Sequence, residues 1–236
     1  MKRLLAAGLI VGMLTAVTRP TAADTKDQAA AKEALQALQE FIGEWKGNGA
    51  PEKPRPSSKE LWSETLNWGW NFKGETRLTL TVTSGKHLKS GELRYLPKTK
   101  RYQLTALDTG GKTLVFEGEL KKDVLTLERV DPTTKETQQL IMNTAAEGVR
   151  FIYRFNRRED GKTLVKKDYV VAATRSGQSL AAREKKTECV VSGGLGTIAV
   201  SYKGETFYVC CSGCRDAFNE NPEKYVAEFK AKKKKD

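Results

Sequence analysis

The chain has 236 residues and a formal net charge of +12, with 39% hydrophobic and 30% charged residues. That length fits one ordinary domain plus a small second one. The balance suits a soluble globular protein and excludes one made mostly of membrane spans.

The chain opens on "MKRLLAAGLIVGMLTAVTRPTAAD". A basic start, an apolar run from Leu4 to Val17 and the small residues Thr21-Ala22-Ala23 form the layout of a secretory signal peptide. This predicts cleavage after Ala23, a mature chain starting at Asp24, and a periplasmic or extracellular location. The apolar run is shorter than the roughly 20 residues a spanning helix needs. No cysteine lies at the cleavage region, so no lipoprotein anchor is expected. No later segment is apolar enough to span, so the chain is expected not to be transmembrane after cleavage.

Residues 24–42, "DTKDQAAAKEALQALQEFI", are rich in Ala and Glu, with Leu35, Leu38 and Ile42 at helical spacing, and predict a helix. The Gly- and Pro-rich "GNGAPEKPRPSS" (47–58) cannot continue it. From Leu61 to about Ala173 the period changes to two. "RLTLTVT", "RYQLTAL", "TLVFEGEL", "VLTLERV", "TQQLIM", "VRFIYRF" and "LVKKDYVVA" alternate, separated by turn signals such as Ser84-Gly85, Gly110-Gly111 and Asp160-Gly161. With "ELWSETLNWGW" and "GELRYL" this predicts about nine strands in an antiparallel meander, whose closure into a barrel would remove exposed edges. Trp45, Trp62, Trp68 and Trp70 are expected to fill the core or plug one barrel end, with the lining of a ligand cavity as the alternative.

The barrel region holds no paired carboxylates, Ser-His or Cys-His arrangement, so no enzyme is expected. The single histidine, His87 in "SGKHLKSG", reads as an exposed hairpin tip. Residues 176–187 read as a linker. The terminal lysines, residues 232–236, read as a solvated basic tail. Export and the lack of a basic, aromatic-studded groove argue against nucleic-acid binding.

The four cysteines gather near the C-terminus, at Cys189, Cys210, Cys211 and Cys214. Ile198, Val200 and Tyr202, then Phe207 and Val209, alternate around Lys203-Gly204, which predicts a β-hairpin. "SGCRDAFNEN" starts a short helix with Cys214, Ala217 and Phe218 on one face. Asn221-Pro222 supplies the N-cap and first residue of another, whose inner face is Tyr225, Val226 and Phe229. So small a core calls for a metal or disulfides. Thiolates are soft ligands suited to Cu(I) and Zn(II). Two disulfides, and thiol redox chemistry through Cys211-Ser212-Gly213-Cys214, remain alternatives in an oxidising compartment.

Two resemblances sharpen this reading. "FIGEWKGNG" (41–49) resembles the Gly-x-Trp opening of lipocalin-like β-barrels, and the meander resembles small calycin-type domains of bacterial exported proteins. Some relatives of such barrels bind haem through a histidine, but the loop-borne His87 makes no haem the expectation. "CVVSGG" (189–194), "VSYKGETFYVCCSGC" (200–214), "RDAF" and "NPEKY" closely resemble the YHS domain of the TRASH-like, treble-clef-type metal modules. That resemblance implies binding of copper or zinc, with a metal-transport or resistance protein as partner. It maps Cys189, Cys210 and Cys214 onto the family's cysteines. Ser192 stands where many members have a further cysteine, and Cys211 is available to substitute for it.

The expected fold is therefore mainly β. It comprises an N-terminal helix (24–42), a lipocalin-like antiparallel barrel (43–175) and a small α+β treble-clef-like cysteine module (188–231). The expected function is handling of a soft metal outside the cytoplasm. A small-ligand carrier with a merely structural cysteine module, and a thiol-disulfide oxidoreductase, are the alternatives.

Overall fold

A computed structural model gives the fold and describes residues 22–177 and 187–233. The leader up to Thr21, most of the expected linker and the last three residues of the expected tail lie outside the described residues. Among the described residues no helix is long and apolar enough to cross a membrane.

The first helix, α1 (Ala22–Gln36), stops earlier than the periodicity suggests, and a single 3-10 turn follows at Gln39–Phe41. The chain must turn here to enter the sheet, and the apolar positions are satisfied in the tighter geometry: Leu35, Leu38, Phe41 and Ile42 are all buried. Tyr102 anchors α1 by donating its hydroxyl to the Ala34 carbonyl at 2.8 Å.

Ten strands then form a closed barrel: β1 (Gly43–Pro51), β2 (Trp62–Asn71), β3 (Arg77–Thr83), β4 (Leu88–Leu96), β5 (Arg101–Asp108), β6 (Thr113–Lys121), β7 (Val124–Val130), β8 (Thr137–Ala145), β9 (Arg150–Arg158) and β10 (Val165–Arg175). Every neighbour is antiparallel, and β1 closes the ring by pairing with both β2 and β10. The strand beyond the expected nine is β1, where the inward positions are Trp45, Gly47 and Gly49. Its period-two signal is weak because two of those three positions carry no side chain. Their size is forced by packing: a Cβ on Gly49 would lie 2.0 Å from the Trp62 ring, and one on Gly47 would lie 3.0 Å from Ala173.

Alternate residues of all ten strands fill the interior, including Leu66, Leu78, Leu93, Leu104, Phe116, Leu127, Leu140 and Val171. An aromatic plug closes the end beside α1. Phe41 meets Phe151 edge-on at 5.0 Å, Trp45 lies 5.5 Å from Phe151, and Trp68 lies 6.1 Å from Phe41. Arg175 seals this plug. Its guanidinium stacks over Trp45 at 4.0 Å and donates to the carbonyls of Gly148, Ile42 and Glu40.

His87 departs from the exposed tip expected of it. It is half-buried at the opposite mouth of the barrel and stacks on Tyr169 at 4.0 Å, with Trp62 edge-on at 5.2 Å. The loop between β3 and β4 folds inward, so a polar sequence context did not place this ring in solvent. Trp62 accordingly belongs to this mouth, while Trp45, Trp68 and Trp70 serve the other end.

After the barrel come β11 (Ile198–Tyr202), β12 (Glu205–Val209), α2 (Ser212–Glu220) and α3 (Pro222–Lys233). The hairpin turns on Lys203 and Gly204, both at positive φ as a two-residue turn of this hand requires. Asn221 caps α3, its side chain accepting from the Lys224 amide at 3.3 Å. The helix runs on into the lysine-rich end. Lys230 pairs with Glu205 at 2.7 Å and Lys232, the first residue of the expected tail, with Glu188 at 2.8 Å, which holds the end of α3 on the module.

Candidate metal centre

Two separate segments bring the cysteines together. The first is a tight loop at 189–194, where the Gly193 amide donates to the Cys189 carbonyl at 2.9 Å and the Cys189 amide to the Gly194 carbonyl. Gly193 takes a positive φ of 79°, which favours a residue without Cβ. The loop is pinned to β12 where the Val190 amide donates to the Tyr208 carbonyl at 2.8 Å. The second segment is the knuckle between β12 and α2. Cys210 directly follows the strand, Cys211 is the N-cap of α2, and Cys214 lies in its first turn.

Folding places the sulfurs of Cys189, Cys210 and Cys214 within 4.8 Å of one another. Cys210 and Cys214 are 3.4 Å apart. Cys189 and Cys214 are wholly buried, Cys210 nearly so, and all four cysteines are unbridged thiols. A tetrahedral zinc with bonds of about 2.3 Å sets its sulfurs about 3.8 Å apart, so three thiolates here fit a soft ion with small adjustments. Cys211 lies outside this mutual set. Its sulfur is 3.9 Å from that of Cys210, and it accepts the backbone N–H of Trp70 in β2 at 3.3 Å.

Ser192 stands beside the three sulfurs. Its amide donates to Cys189 at 3.4 Å and its hydroxyl lies 3.3 Å from the Cys210 sulfur. Thiol donation from Cys210 and then Cys214, with Ser192 adding to both, holds Cys189 well below the usual thiol range despite burial. Cys211 is lowered in the same way by the Cys210 and Cys214 thiols, helped by the Cys214 and Trp70 amides. Cys210 and Cys214 are pushed up, chiefly because each donates to neighbouring sulfurs and is buried. The N-terminus of α2 adds backbone N–H groups and a positive dipole end, which favour thiolate at its first turn.

The barrel contributes more to this environment than spacing in the sequence suggests. Gln36 donates to the Ser192 carbonyl at 3.3 Å, and Gln39 accepts the Trp70 indole N–H at 3.0 Å. Burial holds Arg175 down to about 10, against the opposing pull of Glu40 and Cys210. None of Trp70, Gln36, Gln39 or Arg175 was legible as part of the site. The one available signal was Gly213 in the knuckle, since a glycine inside a helix's first turn marks a close backbone approach.

The comparisons with known proteins bear on this module alone. No curated protein matches the chain. The family model of the YHS domain matches residues 197–228, a stretch that holds Cys210, Cys211 and Cys214 and leaves Cys189 to be supplied by the preceding loop. Hairpin, cysteine knuckle, α2 and the first part of α3 fall inside it, so residues 197–228 match a YHS domain, whose buried cysteine cluster suggests metal binding.

Proposed function

We propose that the protein binds a soft transition-metal ion, Cu(I) or Zn(II), through the thiolates of Cys189, Cys210 and Cys214, and handles it outside the cytoplasm without catalysis. The observation that carries this reading is the convergence of three buried sulfurs from two separated segments to within 4.8 Å. Thiolates select Cu(I) and Zn(II) over hard cations. Bound there, the ion supplies a cross-link between the 189–194 loop and the 210–214 knuckle, in a module whose own apolar core is small. Ser192 orients Cys189 through its amide and keeps a hydroxyl against Cys210. Export is supported by the leader-like pattern of residues 1–23, and the partner implied by such a role is a metal-transport or resistance protein.

Elemental analysis of protein purified without added metal, followed by titration of the reduced chain, tests the reading. One equivalent of copper or zinc per chain is expected, lost in Cys189→Ser and Cys214→Ser. A chain that holds no metal and shows no free thiols in its native compartment overturns it. Intact-mass measurement of the exported protein should find a start near Asp24.

A second reading has one specific observation in its favour. At the open mouth of the barrel a cavity of about 230 Å³ is lined by His87, Phe116, Arg129, Leu140 and Tyr169 among others. A small amphipathic ligand carried there would make the cysteine module structural. Saturable quenching of the mouth tryptophan, Trp62, by such a ligand, in protein that takes up no metal, is the result that favours it.

A further inference from the structure

The three-thiolate reading leaves one buried cysteine without a role. Cys211 is only 7% exposed, and its sulfur faces the barrel, where it accepts the Trp70 N–H. The reason that N–H is available lies in the sheet. The last pair between β1 and β2 is Gly43↔Trp68, so Trp70, two residues further along β2, has no β1 partner. A buried backbone group left in this way needs an acceptor or donor from elsewhere. The start of α2 takes the place of the missing strand. Cys211 accepts the Trp70 N–H, and Gly213 sits directly on the Trp70 carbonyl, where a Cβ would lie 1.7 Å from the oxygen. The sulfur also rests against the neighbouring glycine, a Cβ on Gly69 falling 3.8 Å from it. The same barrel end holds the other cysteine segment, through Gln36 on the Ser192 carbonyl and Gln39 packed against Gly194.

We propose that Cys211 is a positioning residue that docks the cysteine module onto Trp70, so that the barrel end is the outer shell of the three-cysteine centre. The outer-shell role rests on the three-thiolate reading, but the docking contact stands without it. Outer-shell groups orient ligands and change metal affinity by roughly 10- to 100-fold. The barrel then acts on metal binding from outside the site, and undocking the module weakens the hold on the ion without removing a ligand.

The experiment compares the reduced full chain with Cys211→Ala, Gly213→Ala and Cys214→Ser, using Co(II) to count thiolates by charge-transfer intensity and Zn(II) competition for affinity. Gly213→Ala keeps all four cysteines and forces the start of α2 off the Trp70 carbonyl. Cys211→Ala and Gly213→Ala are both expected to keep one ion with the wild-type charge-transfer intensity, and to lose about 10- to 100-fold in affinity. Both should also shift the tryptophan emission of the metal-free protein, a shift that vanishes when Trp70→Phe is added. Cys214→Ser should lose one thiolate's share of that intensity. Loss of one thiolate's share of intensity in Cys211→Ala, with Gly213→Ala normal, would make Cys211 a ligand and overturn the inference. An emission unchanged in both variants overturns the docking. A wild-type chain that binds neither ion overturns the proposed function instead, while the emission shift still decides the docking.

Discussion

Ser192 lies between the sulfurs of Cys189 and Cys210, where a hydroxyl stands in a pocket otherwise built of thiols. Replacing it with cysteine adds a fourth soft donor at a position already within reach. Ser192→Cys should therefore tighten zinc binding and add one thiolate's worth of Co(II) charge-transfer intensity; an unchanged spectrum would show that the new sulfur points elsewhere. Removing a ligand runs the other way. Cys189→Ser and Cys214→Ser should each weaken Zn(II) by more than about 100-fold, beyond the range of an outer-shell change, as read by chelator competition. His87 makes a different prediction at the same scale. Its imidazole is lowered in the fold by burial first and then by Lys86, with Asp168 pulling the other way. As pH falls, the unfolded chain takes up the proton first, so the contribution is full above about 6.5 and is lost as pH drops towards the lowered folded value. His87→Phe can keep the ring stacked on Tyr169 and should flatten the fall in melting temperature between about pH 7 and pH 5. An equal slope in the variant would assign it to other groups.

At the scale of elements, Arg175 at the end of β10 holds the plugged end of the barrel together. It is 7% exposed and satisfies carbonyls on the 3-10 turn and on the β8–β9 turn, elements far apart in the chain. Truncation strands those buried acceptors and exposes the face of Trp45. Arg175→Ala should cost about 3 kcal/mol, the sum expected for losing charged hydrogen bonds and leaving acceptors unpaired. Denaturant unfolding measures it, and a change within about 0.5 kcal/mol, typical of an ordinary surface site, would refute this role. Arg175→Lys should recover little, because a single ammonium cannot reach three carbonyls as the planar fork does.

For the whole molecule, the cysteine module and the barrel share an interface, so metal binding reaches beyond the module. An ion that binds only the folded chain at about 100 times its dissociation constant adds about 2.7 kcal/mol. For a chain of this size that is a rise of about 5–10 °C in melting temperature. The increment should appear in barrel signals, such as the aromatic circular dichroism of Trp45 and Trp68, as well as in the module. A rise confined to the module would mean that the contact at Trp70 transmits little.

Period-two alternation and turn residues determined the meander. The Lys203-Gly204 turn, the Asn221-Pro222 cap and the apolar face of α2 determined the C-terminal module, because each depends on interactions within a few residues. The cysteine spacing likewise made the chemistry legible, since Cys210, Cys211 and Cys214 sit on one knuckle. Three things depended on tertiary structure. β1 was hidden because its inward glycines answer to Trp62 and Ala173 across the sheet. His87 was misplaced because its loop folds onto Tyr169, a residue far along the chain. The orientation of Cys211 towards Trp70 follows from where β1 begins, at Gly43, and no local pattern records the point at which one strand ceases to cover another.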